Sequence, residues 1–269
     1  MLKSLLNTAV LASIHAGHKI MEVYESDDFG VEIKSDNSPL TKADKEANGI
    51  IQKALSATGI PVLSEEGKDI PYNQRKNWKR LWVVDPLDGT KEFIKQNGEF
   101  TVNIALVENH KPILGVIYVP VTRVVYFGVL GMGAYKGNIP AENLELLSNF
   151  DVFNSLGDYQ KLPLDKTDTV FRVVGSRSHM SEETTSYINA ITKNQKKVEV
   201  ISAGSALKLC LVAEGTANVY PRFAPTMEWD VAAGHAIINE AGKKVLMHNS
   251  KEELKYNREN NVNGWFVAC

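Results

Sequence analysis

The chain has 269 residues, which at about 100 to 200 residues per domain predicts one large domain or two domains that share an interface. Apolar residues make up 43% and charged residues 23%, a globular composition that excludes disordered and fibrous classes. Because 30 basic and 32 acidic side chains give a formal charge of -2, the chain offers nucleic acid no general positive surface, and a polyanionic ligand must be bound locally.

The first predicted element is an amphipathic N-terminal helix. The residues of its apolar face recur at spacings of three and four and are Leu2, Leu5, Leu6, Ala9, Val10, Ser13, Ala16, Ile20 and Val23. We interpret this face as packed; a helix on a membrane surface has the same period, but its polar face is richer in Lys and Arg. His15, His18 and Lys19 interrupt the apolar run that a signal peptide needs, and no segment approaches the roughly 20 apolar residues of a transmembrane helix.

The rest of the N-terminal half is predicted to be mainly β. An extended or turn segment, VEIKSDNSPLTKAD, precedes a second helix at 42–58 and a short strand that begins at Pro61. The apolar run at 81–84 is a buried strand that ends at Asp85. The segments FTVNIALV, ILGVIYVP and RVVYFGVLG are separated by short turns, which indicates an antiparallel meander.

The C-terminal half alternates between strands and helices. Residues 138–168 are polar and indicate a surface excursion or a domain junction. Beyond them the strands FRVVG, VEVIS and ANVYP alternate with helices near 181–193, 205–213 and 230–241. We therefore expect two parts, 1–140 with metal-binding loops and 141–269 with nucleotide-binding elements, and an active site in the cleft between them.

Three acidic elements are candidates for a metal site. The strongest follows the strand at 81–84 and consists of Asp85, Pro86, Leu87, Asp88, Gly89 and Thr90. Its two carboxylates and the Leu87 carbonyl can converge on a hard cation; the alternative is that the segment is an ordinary Asp-Gly turn. The second is the pair Glu65 and Glu66, which repel each other unless a cation or proton neutralises them; a plain surface pair is the alternative. The third is Asp230, for which helix capping is the alternative. Oxygen ligands of this kind suit Mg²⁺.

In combination, these elements resemble the lithium-sensitive, magnesium-dependent phosphatase superfamily that includes inositol monophosphatase and fructose bisphosphatase. The acidic pair, the DPLDGT loop and the late WD at a helix start occur in the family's order over nearly the whole chain. The flanking segments KEFI, SRSH and GSALK are most similar to the CysQ-type 3'(2'),5'-bisphosphate nucleotidases. The resemblance implies an α+β fold, a layered αβαβα sandwich with a mostly antiparallel sheet in the N-terminal half and a mixed sheet in the C-terminal half.

The resemblance also implies the cofactor and the catalytic residues. Two or three Mg²⁺ ions are expected per site, one bound by Glu65, Asp85 and the Leu87 carbonyl, and a second by Asp85, Asp88 and Asp230. Two such ions lie about 4 Å apart and stabilise both the attacking and the leaving oxygen of an in-line displacement. Asp44, in the family's TxAD element, is expected to act as a general base through the Thr90 hydroxyl; without the resemblance it is a carboxylate at a helix N-terminus.

The expected substrate contacts come from both halves of the chain. The family pattern places the nucleotide on Ser176, His179, Gly204 and Lys208, while the phosphate meets the metal ligands and the loop that contains Thr90; the phosphate contacts are Glu65, Leu87, Asp88, Gly89, Thr90 and Asp230. The role of Arg222 stays open between a phosphate contact and a strand-end cation. The remaining histidines have no metal-ligand spacing and are interpreted as structural; they are His15, His18, His110, His235 and His248.

The expected function is Mg²⁺-dependent hydrolysis of adenosine 3',5'-bisphosphate to AMP in sulfate assimilation, with 3'-phosphoadenylyl sulfate as a further substrate. An inositol monophosphatase and a non-catalytic phosphometabolite-binding protein are the two alternatives. The expected partner is a small-molecule nucleotide bisphosphate, and both a monomer and a homodimer stay open. The cysteines Cys210 and Cys269 form no disulfide framework and have no zinc spacing, which favours the cytoplasm; peripheral contact with the inner membrane stays open.

Overall fold

The computed structural model describes residues 1–26, 28–34, 38–140, 151–153, 156–164, 169–176, 181–194 and 197–269. Within these ranges the helices are α1 (Leu2–Tyr24), α2 (Lys42–Ser56), α3 (Tyr72–Arg75), α4 (Thr90–Ile94), α5 (Glu182–Asn194), α6 (Leu207–Glu214) and α7 (Glu228–Glu240). The strands are β1 (Glu32–Ile33), β2 (Pro39–Leu40), β3 (Val62–Ser64), β4 (Arg80–Asp88), β5 (Thr101–Glu108), β6 (Lys111–Val119), β7 (Val124–Val129), β8 (Gly133–Asn138), β9 (Gln160–Leu162), β10 (Phe171–Ser176), β11 (Val198–Ala203), β12 (Tyr220–Arg222), β13 (Val245–Met247) and β14 (Phe266–Ala268).

A seven-stranded sheet is the centre of the fold. Its strand order is β3-β4-β5-β6-β7-β8-β9, and every neighbouring pair is antiparallel except β3 and β4. The strands from β4 to β7 are nearly continuous apolar runs because helices cover both faces of the sheet. The antiparallel meander predicted from the sequence is confirmed.

A smaller sheet lies in the C-terminal half. Strands β10 and β11 pair in parallel, while β12, β14 and β13 form an antiparallel set. A parallel bridge between Val173 and Val219 connects the two sets. The C-terminal sheet is therefore mixed, as predicted.

The layers are held together by three groups of buried apolar residues. The first group joins α1 and α2 to one face of the large sheet, and it includes Leu6, Ile51 and Trp82. The second joins the opposite face to α6, α7 and the small sheet. The third lies between the small sheet and α5. The resulting order is αβαβα, which confirms the predicted fold class, and the apolar face of α1 is packed against the protein.

Helix α7 packs directly on the large sheet because two glycines of the sheet leave room for it. A Cβ built on Gly115 of β6 would lie 2.1 Å from the carbonyl oxygen of Ala233, and one built on Gly128 of β7 would lie 2.8 Å from Ile237 Cα. Both distances are too short for a real contact. The main chain of α7 therefore touches the sheet without intervening side chains, and this contact fixes the position of the helix.

Some boundaries differ from the sequence predictions. The region 138–168, expected to be a surface excursion, contributes β9, which pairs with β8. Helix α7 begins at Glu228 rather than at residue 230, and α6 begins at Leu207 rather than at residue 205. The division of the chain at residues 140 and 141 stays a prediction. Among the described residues, no helix combines the length and apolarity needed to cross a membrane.

Candidate active site

The DPLDGT loop begins within β4, which continues to Asp88 rather than ending at Asp85 as predicted, and its distortion turns two carboxylates towards the site. The register between β4 and β5 shifts between Asp85 and Asp88, which is the signature of a bulge. Asp85 is buried, and its Oδ1 accepts a hydrogen bond from the Leu87 main-chain N-H at 3.1 Å. The predicted Asp-Gly turn is thus part of a bulged strand end, where bulges commonly re-aim side chains.

Three acidic side chains from separate elements converge beside this loop. Carboxylate oxygens of Glu65, Asp85 and Asp230 lie within 4.8 Å of one another. Glu65 is placed there by its main-chain N-H, which donates to the Val84 carbonyl of β4 at 3.1 Å and extends the pairing of β3 with β4. Asp88 is not a member of this triplet, and the Leu87 carbonyl oxygen lies 3.3 Å from the Thr90 hydroxyl oxygen.

The carboxylates of the triplet are destabilised in their charged form. Burial, followed by the negative charge of Glu65 and Asp88, raises the pKa of Asp85 well above its ordinary value. Burial and then Asp88 raise the pKa of Asp230 in the same way, and burial raises the pKa of Glu65. Grouped, desolvated carboxylates of this kind need a neutralising cation or protons, and oxygen ligands match the preference of Mg²⁺. The donor set therefore fits the predicted metal.

Lys34 is a charged neighbour of this cluster that the sequence analysis missed. Its Nζ donates to Glu65 Oε1 at 3.0 Å and forms an ion pair with Glu66. Burial lowers the pKa of Lys34, but the bond to Glu66 and the charge of Glu65 outweigh it and raise the pKa above the ordinary lysine value. Lys34 thus pairs with both members of the Glu pair, and Glu65 is the one that belongs to the carboxylate triplet. A lone Lys beside a turn gives no sequence signal for this contact.

Asp44 and Thr90 are adjacent, as the family pattern implies. The Thr90 hydroxyl lies 3.2 Å from Asp44 Oδ1, to which it donates. The other oxygen, Oδ2, accepts hydrogen bonds from the N-H and the hydroxyl of Thr41 at 2.7 and 2.5 Å, in a capping box at the start of α2. Asp44 is almost fully buried, and burial raises its pKa. Asp44 is therefore both a carboxylate at a helix N-terminus, as expected, and a partner of Thr90, and the two contacts use different oxygens.

Asp230 lies in the first turn of α7. It is the third residue of the helix rather than the cap, and its Oδ2 accepts the Met227 main-chain N-H at 2.8 Å. The same turn is also held by the C-terminal segment, since the first residue of α7, buried Glu228, accepts the main-chain N-H groups of Asn257 and Arg258 at 2.7 and 3.0 Å. Asp230 is consequently carried by a helix start that is fixed on both sides.

Asp88 is held by polar side chains of two other segments. Its Oδ2 accepts hydrogen bonds from Ser205 Oγ at 2.9 Å and from Asn103 Nδ2 at 3.3 Å. Thr101 contacts both of these partners. The sequence analysis did not single out Thr101, Asn103 or Ser205; the available signal was that Thr101 and Asn103 are polar residues spaced by two in an otherwise apolar strand.

A pocket beside Asp88 and Asp230 is lined by the GSALK segment. Gly204 and Gly89 allow the segment to approach: a Cβ on Gly204 would lie 2.9 Å from Glu99 Cβ, and Gly89 has a φ of +93°. Lys208 is buried in the wall, where its Nζ donates to the Ser205 carbonyl at 2.6 Å, and burial lowers its pKa. Cationic side chains in the pocket lining are Lys91, Lys208 and Arg222.

The other predicted contacts are only partly described. Ser176 ends β10, which places its main chain at the end of the small sheet, and His179 lies outside the described residues. Arg222 lines the pocket and donates to the Pro225 carbonyl at 3.1 Å. Of the histidines interpreted as structural, His235 is buried, and its Nδ1 lies 2.9 Å from the Tyr256 hydroxyl.

Comparison with known proteins identifies the family of this arrangement. The model of the inositol monophosphatase family matches residues 1–264. The chain belongs to the inositol monophosphatase family. The fold, the order of the acidic elements and their convergence in the structure agree with this assignment, and the family resemblance predicted from the sequence is confirmed.

The similar proteins include CysQ-type enzymes. The chain is 46% identical over 235 residues to the 3'(2'),5'-bisphosphate nucleotidase CysQ of Salmonella typhimurium, covering 86% of this chain and 85% of that protein. It is 44% identical over 233 residues to the protein of the same name from Buchnera aphidicola, covering 86% and 79%. The crystal structure of CysQ from Bacteroides thetaiotaomicron matches with a TM-score of 0.89 and 49% identity, covering 99% of this chain and 97% of that one.

Proposed function

We propose that this chain is a metal-dependent 3'(2'),5'-bisphosphate nucleotidase that hydrolyses adenosine 3',5'-bisphosphate to AMP and phosphate. The observation that carries the proposal is the carboxylate triplet of Glu65, Asp85 and Asp230 beside a pocket formed by the GSALK segment. The names of the similar proteins support the substrate class. A cytoplasmic location is part of the proposal and is supported by two cysteines that are both free.

The metal ligands that we propose are Glu65, Asp85, the Leu87 carbonyl, Asp88 and Asp230, with Mg²⁺ as the ion. Their chemistry suits a hard cation, and their charges oppose one another without it. When bound, Mg²⁺ neutralises phosphate charge and makes water more acidic. The number of ions, two or three, belongs to the proposal as well.

Asp44 and Thr90 are the proposed proton-handling pair. Because the Thr90 hydroxyl donates its proton to Asp44, its lone pairs face outwards and orient a water molecule for attack on phosphorus. As the water oxygen bonds to phosphorus, the bond between phosphorus and the ribose oxygen breaks, and the ribose oxygen takes up a proton from bulk water, to which Asp44 afterwards releases the proton that it gains in the step. The proton of the water passes through Thr90 to Asp44, whose raised pKa makes it a better acceptor than an ordinary aspartate.

The pocket residues are the proposed nucleotide contacts. The segment with Gly204 and Lys208 borders the pocket, and the cations Lys91 and Arg222 supply positive charge for a second phosphate. Ser176 and His179 remain proposed contacts on the basis of the family pattern. The N-H groups of Gly89 and Thr90 are proposed phosphate donors at the turn after β4.

A substrate panel with Mg²⁺ tests the function. Released phosphate is measured for adenosine 3',5'-bisphosphate, 3'-phosphoadenylyl sulfate and inositol 1-phosphate. We expect the bisphosphate to be hydrolysed fastest, and millimolar lithium to inhibit the reaction. Fast hydrolysis of inositol 1-phosphate with none of the bisphosphate would contradict the nucleotidase proposal, and nucleotide binding without any turnover would favour the binding-protein alternative.

Three variants test the roles of Asp44 and Thr90. In Asp44→Asn the amide donates to Thr90 and reverses its hydrogen bond, so we expect kcat to fall about 10²- to 10⁴-fold while AMP binding is retained. Thr90→Val should lose activity similarly, whereas Thr90→Ser keeps the hydroxyl and most of the activity. Equal activity of Thr90→Val and Thr90→Ser would remove the hydroxyl from the mechanism.

A further inference from the structure

Three polar side chains form a ring with one oxygen of Asp88. Ser205 Oγ donates to Asp88 Oδ2 at 2.9 Å, and Asn103 Nδ2 donates to the same oxygen at 3.3 Å. Thr101 closes the ring, since its hydroxyl lies 2.6 Å from Ser205 Oγ and 2.8 Å from Asn103 Oδ1. Within the described part of the chain both of these side-chain donors bind Oδ2, which leaves Oδ1 for a cation.

The proton balance of the ring assigns the Ser205 proton to Asp88. The hydroxyls of Ser205 and Thr101 carry two protons but take part in three contacts between oxygen atoms, so one of these contacts has no proton. A hydrogen bond to an ionised carboxylate is roughly twice as strong as one between neutral groups, and Ser205 therefore donates to Asp88. The Ala206 main-chain N-H, 2.6 Å from Ser205 Oγ, fills an acceptor position of the same hydroxyl and orients it.

The main chain around Ser205 is fixed independently of Asp88. Ser205 has a φ of +51°, in the left-handed region that non-glycine residues seldom adopt. The preceding Gly204 N-H donates to Glu99 Oε2 at 2.8 Å, and Lys208 Nζ donates to the Ser205 carbonyl at 2.6 Å. A strained conformation that the neighbours hold in place is typical of residues that serve a site.

We propose that Ser205 is a positioning residue that orients the Asp88 carboxylate for cation binding. Groups that orient metal ligands in this way are commonly worth 10- to 100-fold in metal affinity. The inference rests on the proposed function, because it takes Asp88 as a metal ligand. The inference goes beyond the proposed function because it assigns a role to the Ser205 hydroxyl in the pocket wall. In the described structure this hydroxyl touches neither the carboxylate triplet nor the Asp44–Thr90 pair.

The test compares Ser205→Ala with Ser205→Gly in the full-length chain. Both variants remove the hydroxyl, but alanine keeps the Cβ that strains serine at a φ of +51°, whereas glycine removes that strain, so the pair separates loss of the hydroxyl from backbone strain. Ser26→Ala is the matched control, because the Ser26 hydroxyl bonds to the main-chain oxygens of Val23 and Asp28. The Mg²⁺ dissociation constant is measured by calorimetry, and the melting temperature is recorded for every variant.

We expect both Ser205 variants to bind Mg²⁺ about tenfold more weakly, a change of about 1.4 kcal/mol, while Ser26→Ala binds as the wild type does. Unchanged affinity in both Ser205 variants would overturn the proposal. Weaker binding in Ser205→Ala alone would assign the effect to strain and overturn it as well. Wild-type protein that binds Mg²⁺ but hydrolyses no bisphosphate would instead contradict the proposed function, and the Mg²⁺ comparison would still decide the role of Ser205.

Discussion

Gly115 is a position where one added methyl group should disturb the site from a distance. In Gly115→Ala the new Cβ would lie 2.1 Å from the Ala233 carbonyl oxygen, 2.9 Å from the Ala233 carbonyl carbon and 3.0 Å from Ala236 Cβ. The two closest atoms belong to the main chain of α7, so rotation of a side chain cannot relieve the overlap. Restoring a normal contact of about 3.5 Å requires the Ala233 oxygen, and with it α7, to move by about 1.4 Å.

The expected result is lower stability together with weaker metal binding. Overpacking of this size costs about 1 to 3 kcal/mol of unfolding free energy. Asp230 lies less than one turn before Ala233 on the same helix, so the displacement also separates its carboxylate from those of Glu65 and Asp85. Urea unfolding measures the first effect, and calorimetric titration with Mg²⁺ measures the second.

Gly49→Ala is the matched control for this prediction. Gly49 is an exposed residue within α2, and its added Cβ would meet nothing within 4 Å. The same substitution there should stabilise the protein by up to about 1 kcal/mol, because alanine has the higher helix propensity. If Gly115→Ala were as stable as the wild type and bound Mg²⁺ equally well, the close packing of α7 would not be what fixes Asp230.

Three further predictions concern stability and its dependence on metal and pH. Arg75→Met removes a buried guanidinium that donates to the Arg258 and Glu259 carbonyls and to the side chains of Asn257 and Asn261. The unfolding free energy measured in urea is therefore expected to fall by about 3 kcal/mol or more. The control is Arg80→Met, which should lose less than about 1 kcal/mol because the ion pair of Arg80 is partly exposed. Burial lowers the pKa of His235 from 6.5 to about 4, so the contribution of neutral His235 to stability is full above pH 6.5 and is lost as the pH falls towards 4. Over that range the difference in unfolding free energy between the wild type and His235→Gln should change by about 2 to 3 kcal/mol. A difference that stays constant with pH would refute the assignment. Asp85→Asn relieves repulsion within the carboxylate cluster, so in EDTA it should melt higher than the wild type, whereas added Mg²⁺ should raise only the wild-type melting temperature.

The fold was largely predictable because its elements have regular patterns. The meander from β5 to β7 consists of apolar runs separated by turns, and α1 has a clean helical period, so both were expected at nearly their observed positions. The strand β9 was not, because three residues at the edge of a sheet have too short a pattern to stand out from a polar segment. Its place in the sheet depends on pairing with β8, which is a tertiary contact.

The site was predictable only where residue type and order carry the signal. Glu65, Asp85 and Asp230 could be grouped because carboxylates from distant segments matched a family pattern, and the structure places them within 4.8 Å. Lys34 and Ser205 could not, because a single Lys or Ser has many ordinary roles at the surface. Their contacts with Glu65 and Asp88 arise from the packing of loops that are remote in sequence, at separations of 31 and 117 residues.

Asp44 and Asp230 show that a position at a helix start and a role in the site do not exclude each other. Each is the third residue of its helix, and in each one oxygen, Oδ2, accepts the main-chain N-H of the N-cap residue, at 2.7 Å for Asp44 and 2.8 Å for Asp230. The cap bond fixes the orientation of the carboxylate and leaves the second oxygen directed elsewhere, in Asp44 towards Thr90. A helix start therefore supplies a carboxylate whose orientation is fixed before any ligand binds, which is the property that metal and proton-transfer sites require. For carboxylates at such positions, a satisfied cap is consistent with a site role and gives no argument against one.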